Sequence, residues 1–152
     1  MDAADYVIVG GGSTGCVMAS RLSEDEGAQV VLLEEGPRDL NPYIHIPGAY
    51  YKTAQGPLLK RFAWEPTDAQ NRAEQPTMVQ ASVLGGGSSV NAMIYIRGNP
   101  EDYAAWARLG ATGWDYAGVL PYFRKAEDNN RFCNDAHGTG GSLGVLDIDN
   151  IH

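Results

Sequence analysis

A chain of 152 residues, 43% of them apolar, is the common size of one domain and can bury a moderate hydrophobic core. Its formal charge of −8 repels phosphate backbones and anionic lipid, and no basic run longer than Leu59-Lys60-Arg61 offers a local exception, which argues against nucleic acid as a partner. The only cysteines, Cys16 and Cys133, lie far apart and in no Cys-x-x-Cys or Cys/His spacing, so neither a disulfide framework nor a metal site is expected.

The first residues, Met1 to Asp5, are acidic rather than basic, and the apolar stretch after them is broken at Gly10-Gly11-Gly12. Neither a signal peptide nor a membrane span is read there, and a soluble, cytoplasmic protein is expected. Tyr6-Val7-Ile8-Val9 is a short β-branched run ending in glycine, as for a strand buried on both faces of a parallel sheet. Ser13 to Leu22 carries small and apolar residues at helical spacing, with Cys16 read as packing, and Gln29 to Leu33 is a second apolar run. Strand, helix and strand within about thirty residues suit one right-handed βαβ unit.

Gly10-x-Gly12-x-x-Gly15 stands where that strand passes into that helix. The first glycine permits the tight turn, the second lets backbone approach a pyrophosphate, and the third lets the helix pack on the strand. The helix start adds unpaired N–H groups and a favourable dipole. Nineteen residues after Gly15, at the end of the second strand, comes Glu34. An acid there accepts hydrogen bonds from a ribose 2′-hydroxyl and repels a 2′-phosphate, which favours an unphosphorylated adenosine; Glu35 is the rival position. These residues alone do not separate NAD from FAD.

From Gly36 to Gln75 the pattern loosens, and prolines 37, 42, 47, 57 and 66 deny it any long helix or central strand. This extended excursion either wraps a ligand or forms a mobile lid. Its aromatics Tyr50, Tyr51, Phe62 and Trp64 either flank a ligand or pack in a core. Leu84-Gly85-Gly86-Gly87-Ser88-Ser89-Val90-Asn91 then exposes many backbone N–H groups to an anion or ring edge. A mere linker is the alternative, which fits poorly with the sequel Ala92 to Ile96, read as buried on at least one side.

Asn99-Pro100-Glu101-Asp102 signals a helix start: a capping Asn, Pro at the first position, and two acids at the positive end of the dipole. Tyr103, Trp106, Ala107 and Leu109 share or neighbour its apolar face, and Gly110 and Gly113 end it. Trp114-Asp115 opens a further helix that Pro121 either kinks or restarts. Cys133 lies in a polar stretch, as a partly exposed thiol, and Leu143 to Ile148 reads as a strand.

Gly85-Gly-Gly-Ser-Ser-Val-Asn-Ala-Met-Ile-Tyr-Ile-Arg-Gly98 is followed by Asp102-Tyr103-x-x-Trp106, Gly113-Trp114-x-Tyr116, Val119-Leu-Pro-Tyr-Phe123 and His137-Gly138-x-Gly140-Gly141. Together with Asp5 to Gly15 and Leu32-Leu33-Glu34-x-Gly36, these motifs resemble the N-terminal signatures of the glucose-methanol-choline (GMC) oxidoreductases over essentially the whole chain.

The resemblance implies an α/β fold, a doubly wound, Rossmann-like FAD-binding domain. Residues 1–152 would form its N-terminal part, supplying the first βαβ unit and the flavin-contacting segments, incomplete without later parts of the chain. It implies FAD rather than NAD. Ser13, Thr14 and Gly15 would line the pyrophosphate beside Gly10 and Gly12, and Glu34 would hold the ribose. Val83, Ser88, Asn91, Ala92, Met93 and Ile94, with Gly86 in the loop between, would run along the flavin. Some members bond the flavin covalently through a His just before the motif's Asn; Val90 occupies that position, so FAD is expected to be non-covalent. The family often carries Gly-Arg where this chain has Ala81-Ser82, which removes a cation from that spot.

The family's catalytic His lies in a later part of a longer chain. His45, His137 and His152 match no such position and read as loop or surface histidines, so no catalytic residue is assigned here. The implied activity is oxidation of an alcohol to an aldehyde or ketone by hydride transfer to flavin N5, with dioxygen or a quinone-like acceptor and a second polypeptide carrying the remainder. The same scaffold also hosts hydroxynitrile lyases and fatty-acid photodecarboxylases, and an inactive cofactor-binding fragment or subunit is a further reading.

Overall fold

The computed structural model describes residues 3–63 and 77–147; Trp64, Gln75, Ile148 and His152, named above, lie outside them. The chain divides into two compact units, Met1–Ile94 and Tyr95–His152.

In the first unit, β1 (Tyr6–Val9) and β2 (Val30–Leu33) pair in parallel, in register from Tyr6 opposite Val30 to Val9 opposite Leu33. The crossover between them is helix α1 (Ser13–Leu22). This is the βαβ unit expected of the apolar runs. Burial is thinner than their composition predicts: of β1 only Ile8 is buried, while Val9 is 84% exposed. Within the unit α1 packs against this two-stranded sheet, and side chains turned away from it stay in solvent.

Among its described residues the proline-rich stretch forms no long helix, but it is not structureless. Asn41 Oδ1 accepts the N–H of Tyr43 at 3.0 Å and starts a 3-10 turn over Pro42–Ile44. A second 3-10 turn, Pro47–Ala49, leads into the short helix α2 (Tyr50–Thr53), where Thr53 Oγ1 donates to the Tyr50 carbonyl at 2.8 Å. Strand β3 (Leu59–Ala63), which the prolines gave no reason to expect, pairs antiparallel with β4 (Thr77–Ala81). Among the described residues, the buried apolar ones, Ile8, Ala49, Leu58 and Val83, all lie in this unit.

In the second unit, Asn99 Oδ1 accepts the N–H of Glu101 at 3.0 Å and caps helix α3 (Pro100–Arg108), as its sequence predicts. Asp115 Oδ1 accepts the N–H of Gly118 at 2.7 Å and caps helix α4 (Tyr116–Ala126). That helix neither ends nor restarts at Pro121: it runs through, forgoing one backbone hydrogen bond. Aromatic rings tie the two helices together, Tyr103 of α3 meeting Tyr116 and Phe123 of α4 at 5.8 and 6.0 Å between centroids. Leu109, expected near this face, is 87% exposed, because it follows the last helical residue and leaves the stripe. Strand β5 (Glu127–Asn129) pairs in parallel with β6 (Leu143–Val145). Among the described residues no helix is long and apolar enough to cross a membrane.

Candidate functional site

Gly10 ends β1 at φ 98°, a left-handed conformation open to glycine, and turns the chain into α1. Gly15 sits against that turn: a Cβ there would lie 1.9 Å from the Gly10 carbonyl oxygen. The Cys16 thiol donates to the Gly11 carbonyl at 3.2 Å, which gives Cys16 the packing role read from its position. Gly12 precedes the helix and caps it with no side chain, so the N–H groups of Ser13, Thr14 and Gly15 have no partner within the helix and can serve an anion.

The second glycine loop joins the first directly. Gly85 donates its N–H to the Gly11 carbonyl at 2.7 Å, and the chain forms a 3-10 turn over Gly86–Ser89. A Cβ on Gly86, whose φ is 55°, would lie 2.6 Å from Gly12 Cα, so the two loops meet backbone to backbone. Ser13 Oγ donates to Ser88 Oγ at 3.2 Å across the same junction. Two motifs separated by seventy residues of chain are therefore one site, and the linker reading of the second loop falls away.

Glu34 completes it. Its carboxylate accepts the Gly11 N–H at 2.6 Å and the Gly36 N–H at 2.8 Å. Of the two rival acids, Glu34 is the one locked onto the glycine turn. Glu35 is exposed and pairs with Lys60; the hydrogen bond and charge of that ammonium hold its carboxyl below the ordinary range. Gly36 carries a contact that its spacing did not reveal: a Cβ there would lie 2.4 Å from the Ser82 carbonyl carbon, so the end of β2 and the approach to the second loop touch through backbone.

These elements enclose an open cleft of about 890 Å3, within the range of about 300–1,000 Å3 usual for ligand sites. Gly10, Gly12, Ser13, Thr14, Gly15, Glu34, Glu35, Val83 and Gly86 line it, with Gln80 and Ala81 of β4. Bare backbone at the start of α1, glycines that leave room beside it, and a fixed carboxylate at the end of β2 suit a dinucleotide with an unphosphorylated ribose. Ser88 reaches the site through Ser13. Asn91, Ala92, Met93 and Ile94 do not line the cleft: they are exposed and form no strand or helix, contrary to the burial expected from Ala92 to Ile96, because no described strand pairs with them. The Asn91 side chain accepts the Met93 N–H at 2.8 Å, a local turn that holds Met93 at φ 57°. Tyr50, Tyr51 and Phe62 are also exposed and off the cleft.

A second polar cluster, in the unit Tyr95–His152, escaped the sequence reading. Glu127 is fully buried and meets Arg97, Asn129 Nδ2 at 2.8 Å, His137 Nδ1 at 2.8 Å and the Gly138 N–H at 3.1 Å. His137 is thus the partner of a buried acid rather than a plain surface histidine, whereas His45 lies in an exposed loop, bonded to the Asp39 carbonyl. Burial pushes the Glu127 carboxyl up, but the bonds from Asn129, His137 and Gly138 and the charge of Arg97 outweigh it and hold the group at about 2. A folded value below the ordinary 4.5 adds stability above pH 4.5 that disappears as pH falls toward 2. The stability difference between the wild type and Glu127→Gln, followed by urea unfolding, is therefore expected to shrink over that window. A difference independent of pH would show that Glu127 is not ionised in the fold.

The GMC oxidoreductase family profile matches residues 4–151. An alcohol dehydrogenase [acceptor] of Pseudomonas putida is 43% identical over 150 residues, which are 97% of this chain and 27% of that protein. Among solved structures, pyridoxine 4-oxidase from Mesorbium loti aligns with a TM-score of 0.81 and 34% identity over 93% of this chain and 28% of its own. An FAD-dependent oxidoreductase from Chaetomium thermophilum aligns with a TM-score of 0.76 and 30% identity, over 93% of this chain and 26% of that one. The chain therefore spans about a quarter of the length of the relatives it matches.

Proposed function

The chain belongs to the GMC oxidoreductase family, and on that premise we propose that it supplies the FAD-binding part of an enzyme oxidising an alcohol to an aldehyde or ketone. The observation that carries this reading is the cleft itself, in which two glycine loops bonded through Gly85 and Gly11 sit beside the Glu34 carboxylate. FAD bound there would supply the hydride acceptor. The residues of this chain bind and orient: the first turn of α1 faces the diphosphate, Glu34 holds the adenosine ribose, and Val83 and Gly86 line the path toward the ring. Val90 offers no side-chain nucleophile where some members carry a His, which supports a non-covalent cofactor. The catalytic His, the alcohol pocket and the route to dioxygen or a quinone-like acceptor belong to the remaining three quarters of such an enzyme, on the same or a second polypeptide.

The test is anaerobic addition of primary alcohols to the purified full-length flavoprotein. Loss of the oxidised flavin band, with the aldehyde as product, is the expected result; a flavin left oxidised by every alcohol would favour non-redox chemistry instead. Glu34→Ala removes a charged acceptor and strands the Gly11 and Gly36 N–H groups. It is expected to raise the FAD dissociation constant by about 10- to 100-fold, as hydrogen bonds to a charged group are worth about 1.5–3 kcal/mol. Fluorescence quenching of added FAD checks this, and an unchanged affinity would remove Glu34 from the site.

A further inference from the structure

Two carboxylates, Glu34 and Glu35, line the cleft, and no Lys, Arg or His does so among its described lining residues. A dinucleotide diphosphate brings about two more negative charges into this acid-rich setting, on a chain whose net charge is already −8. Both oxygens of Glu34 are held by backbone N–H groups rather than by a cation. Glu35 is treated differently: Lys60 donates to its carboxylate. Lys60 stands on β3 directly opposite Gln80 of β4. Directly opposed residues of an antiparallel pair project to the same face, and Gln80 lines the cleft. Bonded to Glu35, which lines the cleft, the ammonium sits at the rim of the site.

We propose that the Lys60–Glu35 pair is a specificity-determining element of the cofactor cleft, in which each residue masks the other. Lys60 cancels the second carboxylate so that the cleft presents one negative charge, Glu34, to the adenosine ribose. Glu35 in turn occupies the ammonium, which would otherwise attract a 2′-phosphate. The inference rests on the FAD reading above and concerns the charge seen by the adenosine end of the cofactor.

The experiment compares the full-length protein, freed of flavin, with its Lys60→Met, Glu35→Gln and doubly substituted forms. The probes are FAD, by fluorescence quenching, and AMP and adenosine 2′,5′-bisphosphate, by displacement. Partly exposed charge pairs act at the scale of about two- to fivefold in affinity. Lys60→Met is expected to weaken FAD by about that factor at low salt, with the loss fading at high salt. The double form returns close to the wild type, and Glu35→Gln shifts the bisphosphate-to-AMP preference toward the bisphosphate by a similar factor. Equal FAD affinity in wild type and Lys60→Met, a double form no better than Lys60→Met, or an unchanged bisphosphate preference in Glu35→Gln would each overturn the proposal. Failure of the wild type to bind FAD would overturn the flavin reading itself, and this proposal with it.

Discussion

Gly15→Ala is expected to destabilise the protein by about 1–3 kcal/mol and to strip it of flavin on gel filtration. The added methyl would lie 1.9 Å from the Gly10 carbonyl oxygen. That oxygen belongs to backbone at the sharpest point of the turn, where Gly10 already holds φ 98° and its N–H is bonded to the Leu33 carbonyl at 2.8 Å. Neither side can yield by rotating a side chain. Relief requires α1 to back away from β1, and that displaces Ser13 and Thr14 from the cleft they line. Gly48→Ala is the matched control: its Cβ would meet nothing within 4 Å and its φ is not positive, so a change within about 0.5 kcal/mol is expected. Equal stability and flavin content in Gly15→Ala and the control would show that the turn is looser than its geometry implies.

Arg97→Met is expected to cost about 3–5 kcal/mol, the usual consequence of leaving one member of a buried ion pair alone. Glu127 is fully enclosed, Arg97 is 10% exposed, and Arg97 also donates to the Ala136 carbonyl, so the substitution removes a crosslink between three segments of its unit. His137, Asn129 and the Gly138 N–H would still surround the carboxylate but would no longer balance its charge. Arg108→Met makes the comparison sharp. Its partner Glu101 is 4.0 Å away and both side chains are largely in solvent, which places the effect within about 1 kcal/mol. Urea unfolding of both variants checks the contrast, and similar small losses would mean that the buried pair contributes no more than a surface one.

What was legible along the chain was local. The run Tyr6 to Val9, the glycines after it and the helix Ser13 to Leu22 all announce themselves within a few residues, as does the Asn99-Pro100 helix start. Glu34 was legible because its distance from Gly15 follows from the length of one crossover. Glu127 was not, because its partners Arg97 and His137 stand 30 and 10 residues away, and a polar stretch gives no sign that one of its acids is enclosed. Strand β3 was hidden for the same reason, since its pairing with β4 depends on a contact between distant segments rather than on alternation within either. Burial was overread in the opposite direction. Val9, Ile94 and Ile96 look like core residues by type, yet each is more than three quarters exposed, because apolar character states a tendency and only a covering element satisfies it. The direct contact of Gly12 with Gly86 is also invisible in the sequence, because a glycine signals close approach of backbone without saying what approaches.

Non-covalent binding of FAD in the cleft between the two glycine loops is open to one decisive measurement, the absorption spectrum of the purified full-length protein before and after denaturation and filtration. Flavin bands in the native protein that pass entirely into the filtrate once it is unfolded are the expected result. Flavin that stays with the polypeptide would contradict the non-covalent assignment made from Val90, and a colourless protein that takes up no added FAD would contradict the assignment of the cleft.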